Sequence, residues 1–327
     1  MKIIIMGAGA IGSLYGGLLE LGGHDVTLVG RESHIEAVQK NGLQVLGVLG
    51  EHSVKLKALM EPGEMHDADY VFITTKAYDV EPAAKSIKHL IGPETNVVCL
   101  QNGIGTETRV EAVLETQRVL RATTCMGALV TRPGEVTVTG VGVTEIGSHH
   151  HENQPAVQKL VEILRDIGFN VRGSDNIDGV IWTKTIVNCG INPIGALTGL
   201  TNGEVYNSQE LRGLVIHLVN EVVRVIKELG IELTTDDPIR YTLGTAKATG
   251  DNINSMLQDI QAHKRTEVEF ITGEVIRLAR ELGIATPYNE TVYALVRTLE
   301  SRMLREKKEI PVPRLSTEQM VEVLTKP

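Results

Sequence analysis

Gly7, Gly9 and Gly12 form the turn Gly7-Ala8-Gly9-Ala10-Ile11-Gly12 between the apolar run Ile3-Ile4-Ile5-Met6 and a segment carrying Leu14, Leu18 and Leu19. The order of strand, glycine turn and helix gives the motif its chemical content. The first glycine permits the tight turn, the second lets a ligand approach the backbone, and the third lets helix and strand pack closely. The helix N-terminus that follows offers free N–H groups and the positive end of a dipole, which suit a pyrophosphate. A dinucleotide site is expected there. The second apolar strand, Asp25-Val26-Thr27-Leu28-Val29, leads into Gly30-Arg31. NAD sites place Asp or Glu about 20 residues beyond the glycines to hold the ribose diol. Here the residue is Arg31, whose guanidinium can pair with the extra 2'-phosphate of NADP. Glu32 and Glu36 read as acids of the next helix start. Either could instead hold a ribose, which keeps NAD as the second choice.

Lys184, Asn188 and Asn192 are spaced by four among Ile181, Trp182, Ile186, Val187, Cys189 and Ile191. Four residues make one helical turn plus a small drift, so the three polar groups form one stripe on an otherwise apolar rod. The stripe faces either solvent or something polar within the protein. Asparagine is a poor mid-helix residue and the apolar neighbours leave little other face to expose, which favours the second reading. A further group is Asn252, Ser255 and Glu267. If one helix runs through, Ser255 and Glu267 lie a little over three turns apart, near one face. On spacing alone, Ser255 reads as the N-cap of a helix starting Met256-Leu257, and Glu267 as a solvated acid beside Lys264 and Arg265. His149-His150-His151 reads as a surface loop, because consecutive histidines point apart and no Cys or carboxylate stands at ligand spacing. No metal site is expected.

The elements that must position these residues follow from periodicity. The first half alternates strands and helices, with buried strands at 70–74 and 96–100 that end in Thr75-Lys76 and Gln101-Asn102-Gly103. Those polar ends mark the C-terminal edge of a parallel sheet, where ligands of open α/β sheets bind, so Lys76 and Asn102 become candidates. Their plainer readings are a solvated helix start and a turn dipeptide. From about Leu120, short strand-like pieces at 122–131, 135–139 and 143–146, broken by Arg132-Pro133-Gly134 and Gly140, read as antiparallel additions to the sheet. A helix over 155–166 and a strand over 168–172 close this part. Beyond Ser174 the pattern is helical. Leu211, Leu214, Val215, Leu218, Val219, Val222, Val223, Ile226 and Leu229 recur at helical spacing up to Gly230. Similar periodicity covers 255–282 and 290–305, and the tail over 309–327 is proline-punctuated and then mildly helical. The expected fold is α/β, with a Rossmann-like NADP-binding domain over 1–173 and an all-helical domain over 174–327, to which the family resemblance given below assigns the substrate and catalytic part.

At 327 residues, with 42% hydrophobic and 22% charged residues, the chain is long enough for two domains with cores of their own. A net charge of -9 and a pI near 5.6 argue against a nucleic-acid partner, which would need a basic face. Cys99, Cys125 and Cys189 are widely spaced in apolar runs and read as buried thiols in a reducing compartment. No leader pattern opens the chain and no apolar run reaches the ~18 residues needed to span a bilayer. A cytoplasmic protein with a small-molecule substrate and no membrane partner is expected, as a monomer or a homodimer.

Together, the glycine turn, Arg31, Lys76, Gln101-Asn102-Gly103, Lys184-x-x-x-Asn188-x-x-x-Asn192-Pro193 and Ser255-Met256-Leu257-Gln258-Asp259 followed by Thr266-Glu267 resemble the ketopantoate reductase (2-dehydropantoate 2-reductase) family. The likeness extends to about residue 300. It implies an NADP-binding Rossmann domain joined to a helical domain like that of 6-phosphogluconate dehydrogenases, with the active site in the cleft between them. It also implies NADPH-dependent reduction of 2-dehydropantoate to (R)-pantoate, a step toward pantothenate and coenzyme A. Hydride delivery to a keto carbon makes an alkoxide, which requires a proton donor within hydrogen-bond reach. On the resemblance, Lys184 is that donor, and Glu267 orients it or accepts from the substrate hydroxyl. Asn188, Asn192, Asn252 and Ser255 grip the substrate. Asn102 contacts substrate and nicotinamide, and Gly7, Ala8, Gly9, Ala10, Ile11, Gly12, Arg31, Lys76 and Glu267 contact the cofactor. Reduction of another 2-keto acid, or a non-catalytic NADP-binding sensor, are the competing readings.

Overall fold

The computed structural model describes residues 1–63 and 68–307. The chain divides into two compact units. One comprises Met1–Ile186 with Val223–Pro238, the other Val187–Val222 with the chain from Ile239 on. The division falls inside a helix, whereas the change of periodicity sets the expected boundary at 173/174, and the first unit also takes in Val223–Pro238.

The first unit is built on twelve strands: β1 (Lys2–Met6), β2 (Asp25–Val29), β3 (Leu43–Gly47), β4 (His52–Val54), β5 (Lys57–Leu59), β6 (Tyr70–Ile73), β7 (Asn96–Cys99), β8 (Val119–Thr124), β9 (Gly127–Arg132), β10 (Glu135–Gly140), β11 (Thr144–Gly147) and β12 (Val171–Gly173). Eight form one sheet in the order β12-β11-β8-β7-β6-β1-β2-β5. From β8 to β5 every neighbouring pair is parallel. Helices α1 (Ala10–Leu21), α2 (Glu32–Asn41), α3 (Val80–Ile87), α4 (Thr106–Leu114) and α5 (Gln154–Asp166) supply the crossovers and flanks. Alternation along β1 explains the layering. Ile3 and Ile5 join a core with Leu14, Tyr15 and Leu19 of α1 and Leu160 and Leu164 of α5, whereas Ile4 faces Val80, Ala84 and Ile87 of α3 and Val110 of α4.

The strand-like pieces after Leu120 do not all join this sheet antiparallel. β8 enters it parallel to β7, and β11 pairs antiparallel with the outer edge of β8. That edge being taken, the β9–β10 hairpin pairs β10 with β3 in a separate sheet, β4-β3-β10-β9. Val136 and Val138 are buried in the core shared with α1. Of the three cysteines, Cys99 and Cys189 are buried but Cys125, just past the end of β8, is exposed.

All regular elements from residue 177 to 307 are helical, apart from one π-helical turn: α6 (Ile177–Thr198), α7 (Asn202–Asn207), α8 (Gln209–Glu228), α9 (Pro238–Ala248), α10 (Ser255–Gln261), α11 (Glu274–Glu281) and α12 (Pro287–Lys307). Gly190 of α6 lets Val215 and Val219 of α8 approach, since an added Cβ would stand 3.1 Å from Val219. Glu221 of α8 is buried and accepts from Tyr288 N (3.0 Å), Asn289 N (2.9 Å) and Asn289 Nδ2 (2.8 Å), a carboxylate at the N-terminus of α12. The periodic stretch 255–282 is not one helix. α10 ends after Gln261 in a paired closure, Lys264 N to Asp259 O and His263 N to Ile260 O, with His263 at φ +51°. A π-helical turn over Glu269–Gly273 then leads into α11. Ser255 and Glu267 therefore do not share a continuous rod. The tail over 309–327 lies outside the described residues.

Candidate active site

The glycine turn takes the form its spacing predicts. Gly7 has φ +121°, and Gly7 N and Ala8 N both donate to Val29 O of β2 at 2.9 Å, fastening the turn between neighbouring strand ends. At Gly12 an added Cβ would stand 2.1 Å from Gly7 O and 2.5 Å from Thr74 Oγ1. At Gly9 it would meet nothing within 4 Å. Gly9 is the N-cap of α1, with no side-chain cap and no acid in the first turn formed by Ala10, Ile11 and Gly12. An uncapped helix start beside open space fits the phosphates of a dinucleotide, whose oxygens would accept from those N–H groups.

Arg31 follows β2 as the N-cap of α2 and its side chain is exposed. His34 one turn on is buried and holds that helix start in place. Its Nδ1 accepts from Gly134 N at 3.1 Å, so the ring proton sits on Nε2, 3.0 Å from Ser13 Oγ of α1. Burial pulls the His34 pKa down, which favours this neutral form. Lys76 follows β6 and Asn102 follows β7, both half-buried. Lys184 lies in α6, and its Nζ donates to Thr124 O, the last residue of β8, at 2.8 Å. The turn, Arg31, Lys76, Asn102 and the Lys184 amine thus all stand at the carboxyl ends of parallel strands β1, β2, β6, β7 and β8. In open α/β sheets that edge is where ligands bind.

Further along α6, Asn188 is half-buried and Asn192 is 5% exposed. The stripe is therefore not an outer surface of the helix. Pro193 next to it cannot donate a backbone hydrogen bond, which leaves the Cys189 carbonyl without its helical donor. In the second unit, Asn252 and Ser255 are exposed whereas Glu267 is 5% exposed, so the latter is not a solvated surface acid. Their neighbours share one small core: Ala196 of α6, Met256 of α10 and Val268 pack with Val296 of α12. Ser255 is not the N-cap of α10. Asn254 is, its Oδ1 accepting from Leu257 N at 3.1 Å, which leaves the Ser255 hydroxyl outside the capping role. Asn254 Nδ2 is buried without a hydrogen-bond partner, against the Gly195 backbone of α6.

Three contributors escape a reading of spacing: the Thr124 carbonyl that anchors Lys184, Asn254, and Arg121, a charge inside the apolar strand β8. Only the last leaves a signal in the sequence, since a lone arginine within a buried strand must find partners. Two histidines of the triplet meet carboxylates, His149 Nε2 standing 3.1 Å from Asp178 Oδ1 and His150 Nε2 2.9 Å from Glu111 Oε1. Among the described residues no group of His, Cys, Asp and Glu is arranged to hold a metal ion.

Residues 3–151 match the family described as ketopantoate reductase PanE/ApbA, and residues 176–300 match its C-terminal family. The chain is 39% identical to the 2-dehydropantoate 2-reductase of Pyrococcus horikoshii over 92% of this chain and 98% of that one. A crystal structure of a PanE/ApbA family ketopantoate reductase from Ralstonia eutropha aligns with a TM-score of 0.85 at 31% identity, covering 93% of this chain and 99% of the other. D-Mandelate dehydrogenase, in a ternary structure with NADH and anilino(oxo)acetate, aligns with a TM-score of 0.86 at 30% identity and the same coverages. With the glycine turn and helical region both matched along nearly their whole length, the chain belongs to the ketopantoate reductase family of oxidoreductases.

Proposed function

We propose that this protein reduces 2-dehydropantoate to (R)-pantoate using NADPH. The observation that carries the proposal is the Lys184 amine, bonded to the last carbonyl of β8 at the sheet edge that also presents the phosphate-binding turn, in a chain 39% identical to a 2-dehydropantoate 2-reductase. Family membership and the NADH-bound neighbour support a nicotinamide cofactor. The choice of NADP rests on Arg31, an exposed guanidinium at the end of β2 where NAD sites carry an acid.

When bound, a dihydronicotinamide supplies the hydride. The glycine turn and the start of α1 would hold the pyrophosphate of the dinucleotide, Arg31 would pair with its 2'-phosphate, Lys76 would contact the cofactor, and Asn102 would lie by the nicotinamide. Lys184 donates a proton to the ketone oxygen as negative charge grows there, and the resulting amine takes a proton back from solvent. The bond to Thr124 O aims the ammonium from the end of β8. The same positive charge stabilises the forming alkoxide. Asn188, Asn192, Asn252 and Ser255 bind the carboxylate and hydroxyl of the substrate, and Glu267 orients the amine or accepts from the substrate hydroxyl. No described helix is long and apolar enough to cross a membrane, and we place the reaction in the cytoplasm, with the protein as a monomer or homodimer.

The D-mandelate dehydrogenase likeness favours one second reading, a different 2-keto acid as substrate. Nicotinamide absorbance followed with ketopantoate and phenylglyoxylate, each with NADPH and NADH, separates the two. Fastest turnover is expected with ketopantoate and NADPH. Turnover with phenylglyoxylate alone would replace the substrate, and none with any keto acid would leave only the cofactor-binding sensor.

A further inference from the structure

Among the described residues Arg121 is the largest fully buried side chain, at 2% exposure in the middle of β8. Burial cuts the guanidinium off from water, so its charge and its five N–H groups must be met by protein. Four of them are met by backbone carbonyls. Nη1 donates to Cys99 O (3.0 Å) and Ala122 O (3.2 Å), and Nη2 to Gln101 O (2.7 Å) and Gly103 O (2.9 Å). Nε lies 3.1 Å from Glu107 Oε2, an ion pair too poorly aligned to count as a hydrogen bond. Glu107, 5% exposed in the first turn of α4, balances the buried charge.

The two carbonyls held by Nη2 flank Asn102 on both sides. Neither regular strand pairing nor a helix fixes this stretch, since β7 ends at Cys99 and α4 begins at Thr106. Gly103 and Gly105 take φ of +91° and +71°, a path that few other residues would stabilise locally. Gln101 Nε2 adds one tie, to Ile73 O of β6 at 2.6 Å. We infer that Arg121, paired with Glu107, is a positioning residue for the reduction: its fork sets the backbone on either side of Asn102 and so aims the Asn102 amide. This rests on the role given above to Asn102. Lysine could keep the charge at this position but not the planar fork that reaches four carbonyls at once.

The test is a double-mutant cycle of Arg121→Lys with Asn102→Ala, read as the single-turnover rate of hydride transfer at saturating NADPH and ketopantoate, with C4-deuterated NADPH as a second arm. Misplacement of a group near the reacting atoms by about 1 Å costs on the order of 100-fold. Arg121→Lys is expected to lose about 10- to 100-fold in that rate and to raise the deuterium isotope effect. The double variant is expected to be no slower than Asn102→Ala alone. Losses that multiply, or a full rate in Arg121→Lys beside an impaired Asn102→Ala, overturn the inference and leave the proposed reaction standing. A full rate in Asn102→Ala overturns the role of Asn102 and the inference with it. Should Arg121→Lys not fold, Gly103→Ala, which shifts an acceptor rather than the donor, takes its place in the same cycle. Multiplied losses, or a full rate in Gly103→Ala, again overturn the inference.

Discussion

Gly9 and Gly12 stand three residues apart in one motif, yet the structure assigns them different duties that one pair of alanine variants separates. In Gly12→Ala the new methyl would sit 2.1 Å from the Gly7 carbonyl oxygen and 2.5 Å from Thr74 Oγ1. The first of these is backbone held by the turn, so β1 and α1 must part by roughly 1 Å, an overpacking change of the class that costs about 1–3 kcal/mol. At about 2–4 °C per kcal/mol for a domain of this size, the cofactor-free protein should melt several degrees lower. In Gly9→Ala the methyl meets nothing within 4 Å, and φ -82°, ψ -167° is open to alanine. Loss of a glycine N-cap costs under about 1 kcal/mol, so the melting temperature should move little. The methyl does occupy the space where a pyrophosphate would meet the first N–H groups of α1, and the Kd for NADPH should rise at least about tenfold, equivalent to 1.4 kcal/mol. Scanning fluorimetry without cofactor and titration of NADPH fluorescence read the two effects separately. A Gly9→Ala protein that melts as early as Gly12→Ala, or binds NADPH as tightly as the parent, would refute the reasoning.

Arg31→Ala should weaken NADPH binding by about 10- to 100-fold, the worth of a charge-assisted hydrogen bond to phosphate, while NADH binding changes little; equal losses for both cofactors would remove the basis for NADP. The His149–Asp178 pair should make stability depend on pH in a defined window. The Asp178 hydrogen bond raises the His149 pKa above its ordinary 6.5, a contribution fully present below 6.5 and lost as pH rises through the raised value. The His149 hydrogen bond in turn lowers the Asp178 pKa below 3.8, a contribution present above 3.8 and lost as pH falls through the lowered value. Urea midpoints of the parent and Asp178→Asn should therefore differ most between about pH 4 and 6 and converge in alkaline solution. A difference that is flat with pH speaks against the pair.

Much of the first unit was legible because its signals are local. The glycine turn, the apolar strands and their polar ends all fall within short windows, and a parallel sheet makes each strand end point to one edge. The destination of the β9–β10 hairpin was not legible, since it depends on β11 having taken the free edge of β8, a competition between distant segments. The break after α10 was hidden for a different reason. Helices that close in this way usually carry glycine at the left-handed position, and here His263 occupies it at φ +51°. The apolar period simply continues across the break. At the candidate site, side-chain types and spacing named the polar stripe of α6, but no pattern could show that a main-chain carbonyl at Thr124 receives the amine. Main-chain partners carry no residue identity, so the carbonyls around Arg121 were equally invisible.

Lys184 as the proton donor is central to the proposed reduction. Its direct test is the single-turnover reduction of ketopantoate by Lys184→Ala at saturating NADPH, with the NADPH Kd measured on the same protein. Removing a general acid costs about 100- to 10,000-fold, and the account predicts a loss in that range with a Kd within a few-fold of the parent. Hydride transfer at close to the parental rate would contradict it.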